Sequence, residues 1–176
     1  MVEWPQTVMA AVIVLERLGE LILAQRNFSR ALARGAQEFG AGHYPLFFLL
    51  HTVWLLGWLI ESTGSSLSPF WPAWLGLFAG GQLLRYWCIA SLGPCWNTRI
   101  LVIPGLKAVQ RGPYRWLAHP NYVAVAIELA AVPLLFGAVK TALFATVANA
   151  VLLLLIRIPE EERALQLFYG VKEDKL

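Results

Sequence analysis

Two short segments hold the residues of this chain whose types and spacing could do chemistry. The first, Gly112-Pro113-Tyr114-Arg115-Trp116-Leu117-Ala118-His119-Pro120-Asn121-Tyr122, joins a turn to the start of an apolar run. The proline after His119 pushes the histidine backbone toward an extended conformation. Its imidazole then sits at the mouth of a helix, where free N–H groups and the helix dipole favour an anionic group. The same residues also read as a plain helix start with interfacial aromatics. The second segment is Arg157-Ile158-Pro159-Glu160-Glu161-Glu162-Arg163-Ala164-Leu165. Three adjacent carboxylates at the end of an apolar run are costly unless solvated or used. Pro159 fits the first turn of a new or kinked helix, where acidic residues offset the positive dipole end, so at least one Glu has a structural reading. If the helix continues, Arg157 and Glu161 stand four residues apart and face the same way. Such a wall of guanidinium and carboxylate can hold a zwitterion.

The elements that must position these segments follow from composition. Of 176 residues, 58% are AVILMFWYC and only 14% are charged, where soluble domains carry about 25% charge. With a mean hydropathy of +0.58 and eight Trp, these values exclude a soluble globule, disorder, a coiled coil and a disulfide scaffold. They predict an all-α integral membrane protein, one domain over 1–176. A crossing takes about 20 residues, and charge-poor runs of that order predict five spans near 4–24, 44–61, 70–91, 121–139 and 141–158. The first carries Glu16, Arg17 and Glu20, of which Arg17 and Glu20 form a compensating i,i+3 pair. The last two form a tight hairpin around Lys140.

Basic residues orient the spans. Three lie in 25–43 (Arg26, Arg30, Arg34), four in 92–120 (Arg99, Lys107, Arg111, Arg115) and four from residue 157 onward, whereas 1–16 and 58–84 have none. The expectation is an N-terminus outside and a cytoplasmic C-terminus. No basic stretch precedes the first apolar run, so a cleavable signal peptide is not expected. The connection from Leu92 to Pro120 is punctuated by Gly93-Pro94, Pro104-Gly105 and Gly112-Pro113, the mark of a folded, functional loop.

Inside the spans, Glu128 lies twelve residues before Lys140 and Asn149 nine after it. Their depths differ by about 4.5 Å, so they could nearly face each other, as substrate contacts or as a hydrogen-bonded glue for the hairpin. Arg85 reads as a residue at the end of the third span that snorkels to the boundary. His51 reads as a core or helix contact, and Trp54, Trp58, Trp71, Trp74 and Trp87 as packing or interface residues. Cys88 and Cys95 read as free thiols, with no metal site and no nucleic-acid stripe. Gly76, Gly80 and Gly81 give the third span a small-residue face that serves an oligomer or packing within one chain.

Together, Gly112-Pro113-Tyr114, His119-Pro120-x-Tyr122 and the run Arg157, Glu160-Glu161-Glu162, Leu165, Phe168 and Gly170 resemble the paired motifs of the isoprenylcysteine carboxyl methyltransferase family of membrane enzymes, over about 85–170. The resemblance implies methyl transfer from S-adenosylmethionine, bound between helix ends and the cytosolic loop. No Gly-x-Gly-x-x-Gly nucleotide fingerprint occurs. It carries Lys107, Val109, Gly112, Tyr114, His119, Pro120 and Tyr122 to the cofactor pocket and Glu160 and Glu161 to the methionine end of the cofactor. Arg85 and Arg157 would face the acceptor and, with Glu161, form the catalytic set; Glu128 and Asn149 join them as substrate-facing candidates. Ala118 stands where the family usually has Arg, so that position inherits no role. Relatives of this short form resemble bacterial enzymes of the inner membrane, some similar to methylases of long-chain alkylpyrone or alkylresorcinol lipids. The expected acceptor is therefore a lipophilic molecule entering from the bilayer and methylated on oxygen. The rivals are a phospholipid-type N-methyltransferase, an NADPH-dependent lipid reductase and a non-enzymatic scaffold.

Overall fold

The computed structural model describes residues 4–106 and 109–169. It holds six helices, α1 (Trp4–Leu32), α2 (Tyr44–Glu61), α3 (Trp71–Leu92), α4 (Pro120–Leu135), α5 (Val139–Leu152) and α6 (Ile158–Tyr169). Two three-residue strands join them, β1 (Gln37–Phe39) and β2 (Ile100–Val102). The protein is thus all-α in substance. Two helical stretches, Ala41–Glu61 and Val139–Phe168, are long and apolar enough to cross a membrane, and α4 is apolar but shorter. α1 and α3 have the length, at 29 and 22 residues, but carry charges in their interiors.

Those charges meet one another. Arg17 donates to Glu20 (2.7 Å) and to Glu128 (3.3 Å), and Arg85 donates to Glu20 (3.4 Å) and to Glu128. Two guanidiniums and two carboxylates from α1, α3 and α4 make a buried network of zero net charge. The expected Glu128–Asn149 facing pair gives way to it. The Glu128 carboxylate turns to the two arginines, and Asn149 keeps a buried side-chain oxygen without a partner. Opposite charges at this depth outweigh a neutral amide as partners for a carboxylate. Arg85 likewise does not snorkel, being 3% exposed.

Local sequence explains the helix contacts. Pro133 lies inside α4 and has no N–H to give to the Leu129 carbonyl, so Trp54 Nε1 of α2 donates to it instead (3.0 Å). Trp58 stacks on Phe136 at 5.2 Å in the same core. Gly81 lets α3 approach α4, since a Cβ there would stand 2.9 Å from Ile127, whereas Gly76 and Gly80 face open space. Glu61 at the end of α2 accepts from the backbone N–H groups of Lys140 (2.9 Å) and Thr141 (2.8 Å), capping the free donors of α5.

Three boundaries differ from expectation. α1 runs on to Leu32 because its buried stripe of Glu20, Ala24, Asn27 and Ala31 continues past the apolar run. The hairpin turns at 136–138, where Gly137 takes φ 73, which places Lys140 in the first turn of α5. β1 and β2, read as loop from sequence, pair antiparallel with Glu38 opposite Leu101. Ile100 and Val102 of β2 pack with Ala164 of α6, and Phe39 and Phe168 close the cluster edge to face at 5.9 Å. This small second core fixes α6 against the loop.

Candidate active site

The site is built where α4 starts, α5 ends and α6 begins. Pro120 opens α4 at a position whose N–H would be unpaired anyway, and His119 before it is non-helical at φ −127 and ψ 59. One turn of helix then brings the Tyr122 ring under the His119 imidazole, stacked at 5.1 Å and 14°. The Tyr122 hydroxyl donates to Glu161 Oε2 at 2.6 Å, and His119 Nδ1 stands 3.9 Å from the same oxygen. Glu161 comes from the first turn of α6.

Arg157 reaches this pair through a kink. Residues Leu153–Arg157 form a π-bulge just before Pro159, whose ring and missing N–H would break a regular α-helix there. The bulge resets the helix register, and Arg157 is 8% exposed, pointing inward. Its Nε donates to the Tyr122 oxygen (3.2 Å) and its Nη2 to the Thr98 carbonyl (3.0 Å). Arg157 and Glu161 therefore meet through Tyr122 rather than directly. The guanidinium also lies over the Phe47 ring at 5.9 Å. Among the described residues it has neutral partners only, a buried cation without a carboxylate.

Several neighbours escaped the sequence reading. Thr98 also binds the Tyr44 hydroxyl through its side chain (3.2 Å), and Arg99 is clamped by Glu38 at 2.6 Å, 4.6 Å from the Tyr44 ring centroid. His43 lies within electrostatic reach of Arg157 and Glu160, and its Nε2 is buried without a partner. Gly40 has φ +62 and a Cβ there would stand 2.0 Å from the His43 ring, so the close approach of this turn to His43 needs a glycine.

On the loop side, Gly112 has φ +59, and a Cβ would stand 1.9 Å from Ser91 Oγ and 3.0 Å from Trp87 Nε1. Gly112→Ala should therefore destabilise the protein by about 1–3 kcal/mol from backbone strain alone, with the clash added. The double variant Gly112→Ala/Ser91→Gly should recover only the Ser91 part of the clash, less about 0.5–1 kcal/mol for a glycine in α3, read by thermal unfolding in detergent. Next to Gly112, Arg111 Nε holds the Ser91 carbonyl at 2.6 Å. Tyr114 lies within reach of the Cys88 thiol, and burial pushes its phenol well above the usual range, so it is neutral at any working pH.

Of the sequence candidates, the structure brings together His119, Pro120, Tyr122, Glu161 and Arg157, with Tyr114 in electrostatic reach of Glu161 and Glu160 one residue before it. Val109 is half-buried in the loop leading to Gly112. Lys107 lies outside the described residues. Arg85, Glu128 and Asn149 sit further along their helices; the first two belong to the buried charge network. Both cysteines are free thiols, and no group of three metal-ligating side chains occurs among the described residues. An apolar groove of about 260 Å³, lined by Trp4, Met9, Trp71, Phe78 and Phe136, is at the other end of the helices.

The donors and acceptors fit the methionine end of S-adenosylmethionine. Glu160 and Glu161 are acceptors for an ammonium. The unpartnered His43 Nε2, within electrostatic reach of Glu160, leaves further polar capacity there.

A sequence model of the isoprenylcysteine carboxyl methyltransferase (ICMT) family matches residues 74–167. The uncharacterized protein YpbQ of Bacillus subtilis (strain 168) is 40% identical over 166 residues, 92% of this chain and 96% of that protein. An uncharacterized protein of Haemophilus influenzae is 28% identical over 160 residues, 88% and 91% of the two chains. No solved structure matches significantly. The matched stretch covers more than half of the chain and contains the first motif and the second as far as Leu165, so the protein belongs to the isoprenylcysteine carboxyl methyltransferase family of membrane methyltransferases.

Proposed function

We propose that the protein is an S-adenosylmethionine-dependent methyltransferase acting on an oxygen of a lipophilic acceptor that enters from the bilayer. The chain is one domain with its catalytic half over about 85–170. It crosses a bacterial inner membrane five times, with the N-terminus outside and the site cytoplasmic. The observation that carries the preference for oxygen is Arg157. The direct partners of this buried guanidinium are a phenol and a carbonyl, with Glu161 reached only through Tyr122, and an anionic acceptor supplies a direct counter-charge. A cationic amine headgroup would add repulsion.

The bound cofactor supplies a methyl carbon on a positively charged sulfur. Glu160 and Glu161 hold its ammonium, while Gly112 and Tyr114 border the pocket on the loop side. Arg157 orients the acceptor oxygen by charge-assisted hydrogen bonding. Alignment of this kind accounts for about 7–11 kcal/mol of barrier lowering without a strong base. A carboxylate acceptor is already ionised at neutral pH. An enol or phenol, such as an alkylpyrone or alkylresorcinol presents, must lose its proton. His119 accepts it, and the Glu161 carboxylate 3.9 Å away stabilises the imidazolium that forms.

Calorimetric titration of the detergent-purified protein with S-adenosylhomocysteine and, separately, NADPH tests the reading. Micromolar binding of the first is the expected result, lost in His119→Ala because the ring stacked on Tyr122 beside Glu161 also lines the cofactor pocket. Binding of NADPH alone would move the protein to the reductases, and binding of neither would leave a scaffold.

A further inference from the structure

We propose that the outward face of α1 is a binding site for an anionic phospholipid of the cytoplasmic leaflet. The inference rests on the membrane disposition proposed above and not on the methyl transfer. At 1.5 Å per residue the 29 residues of α1 span about 43 Å, against about 30 Å of hydrocarbon, so the last turns stand in the headgroup region. On the side opposite the buried stripe of Glu20, Ala24, Asn27 and Ala31 runs a shallow groove of about 440 Å³. Its lining changes along the helix, from Leu18, Leu21 and Ile22 to Gln25, Arg26 and Ser29. An apolar length followed by a polar, cationic end is the complement of an acyl chain followed by a phosphate.

Charge decides the occupant. Arg26 lines the groove and Arg30 follows one turn later. Both are exposed, and neither has a carboxylate partner among the described residues. A second copy docking by the same face would set these arginines against their own equivalents, with no acid on this stripe to offset them. A phosphodiester neutralises them and lets the chain lie on Leu18 and Ile22, which are 51% and 59% exposed. The opposite face of the same turns is tied to the site. Asn27 holds the Gly93 and Trp96 carbonyls at 3.2 and 2.8 Å, Asn97 holds the Ala24 carbonyl at 2.9 Å, and the adjoining Thr98 carbonyl receives Arg157. A lipid seated on α1 thus braces the helix that carries the loop behind Arg157.

Native mass spectrometry of the full chain from mixed phosphatidylglycerol and phosphatidylcholine vesicles tests this. The expected result is retention of phosphatidylglycerol in preference to phosphatidylcholine, falling about fivefold for each arginine removed in Arg26→Gln and Arg26→Gln/Arg30→Gln. That factor is the ~1 kcal/mol of one basic residue near an anionic surface, converted at 1.4 kcal/mol per tenfold. Equal retention of both lipids, or a preference unchanged in the double variant, would overturn the proposal. A dimer that the double variant strengthens would overturn it too, by assigning the face to a second copy. Titration of S-adenosylhomocysteine in the same samples keeps the two readings apart, because lipid preference without donor binding removes only the methyltransferase reading.

Discussion

Glu161→Gln is expected to weaken S-adenosylhomocysteine binding by about 10- to 150-fold, with little change in thermal stability. A hydrogen bond to a charged group contributes about 1.5–3 kcal/mol, and the substitution removes the charge while keeping an oxygen. That oxygen still accepts from the Tyr122 hydroxyl, which holds α4 to α6 in the wild type at 2.6 Å. The fold contact therefore survives while the counter-charge for the cofactor ammonium is lost. Glu162→Gln, at an exposed position of α6, should leave affinity unchanged and serves as the control. Calorimetry of the three proteins side by side decides the matter. Unchanged affinity in Glu161→Gln would remove this carboxylate from the donor site, whatever the effect on turnover.

A second large effect is expected in the buried charge network. Removing one member, as in Glu128→Ala, leaves Arg85 with only Glu20 at 3.4 Å and an excess positive charge in an apolar interior. Breaking such a pair costs about 3–5 kcal/mol, and the unfolding midpoint should drop on the order of 10 °C. Arg85→Met/Glu128→Leu, by contrast, removes charges of opposite sign together and leaves the Arg17–Glu20 pair at 2.7 Å intact. Most of the stability should return in that double variant, because the single change is penalised by the orphaned ion more than by the lost attraction. If the double variant is as damaged as the single one, the network is not the cause of the loss.

How much of this was legible beforehand depends on the range of the interaction involved. The α2 boundaries at Tyr44 and Glu61 and the start of α4 at Pro120 could be read from chain-local features, namely apolar run length and proline chemistry. The i,i+3 pairing of Arg17 with Glu20 is equally local. So was the content of the two motifs, because Pro120 and Pro159 announce helix starts wherever they lie. The partners of Arg85 were not legible. A helix period shows which residues share a face, but several faces of an apolar helix are alike to lipid and to another helix. Nothing along the chain tied Glu20 or Glu128 to Arg85 until the helices packed.

The same holds around Arg157. Its position at the end of a span was readable, but its inward direction depends on a π-bulge that a linear 3.6-residue count does not anticipate. Its contacts, Thr98, Phe47 and Tyr122, come from three separate parts of the chain. β1 and β2 are three residues each and some sixty residues apart, too short for an alternating pattern to stand out from loop. The class of the protein, most of its helical runs and the content of the two motifs were legible along the chain, since those depend on residues near one another in it. Which charges neutralise each other, and that the buried Arg157 has no carboxylate bonded to it, were settled by the packing, because they depend on which helix faces which.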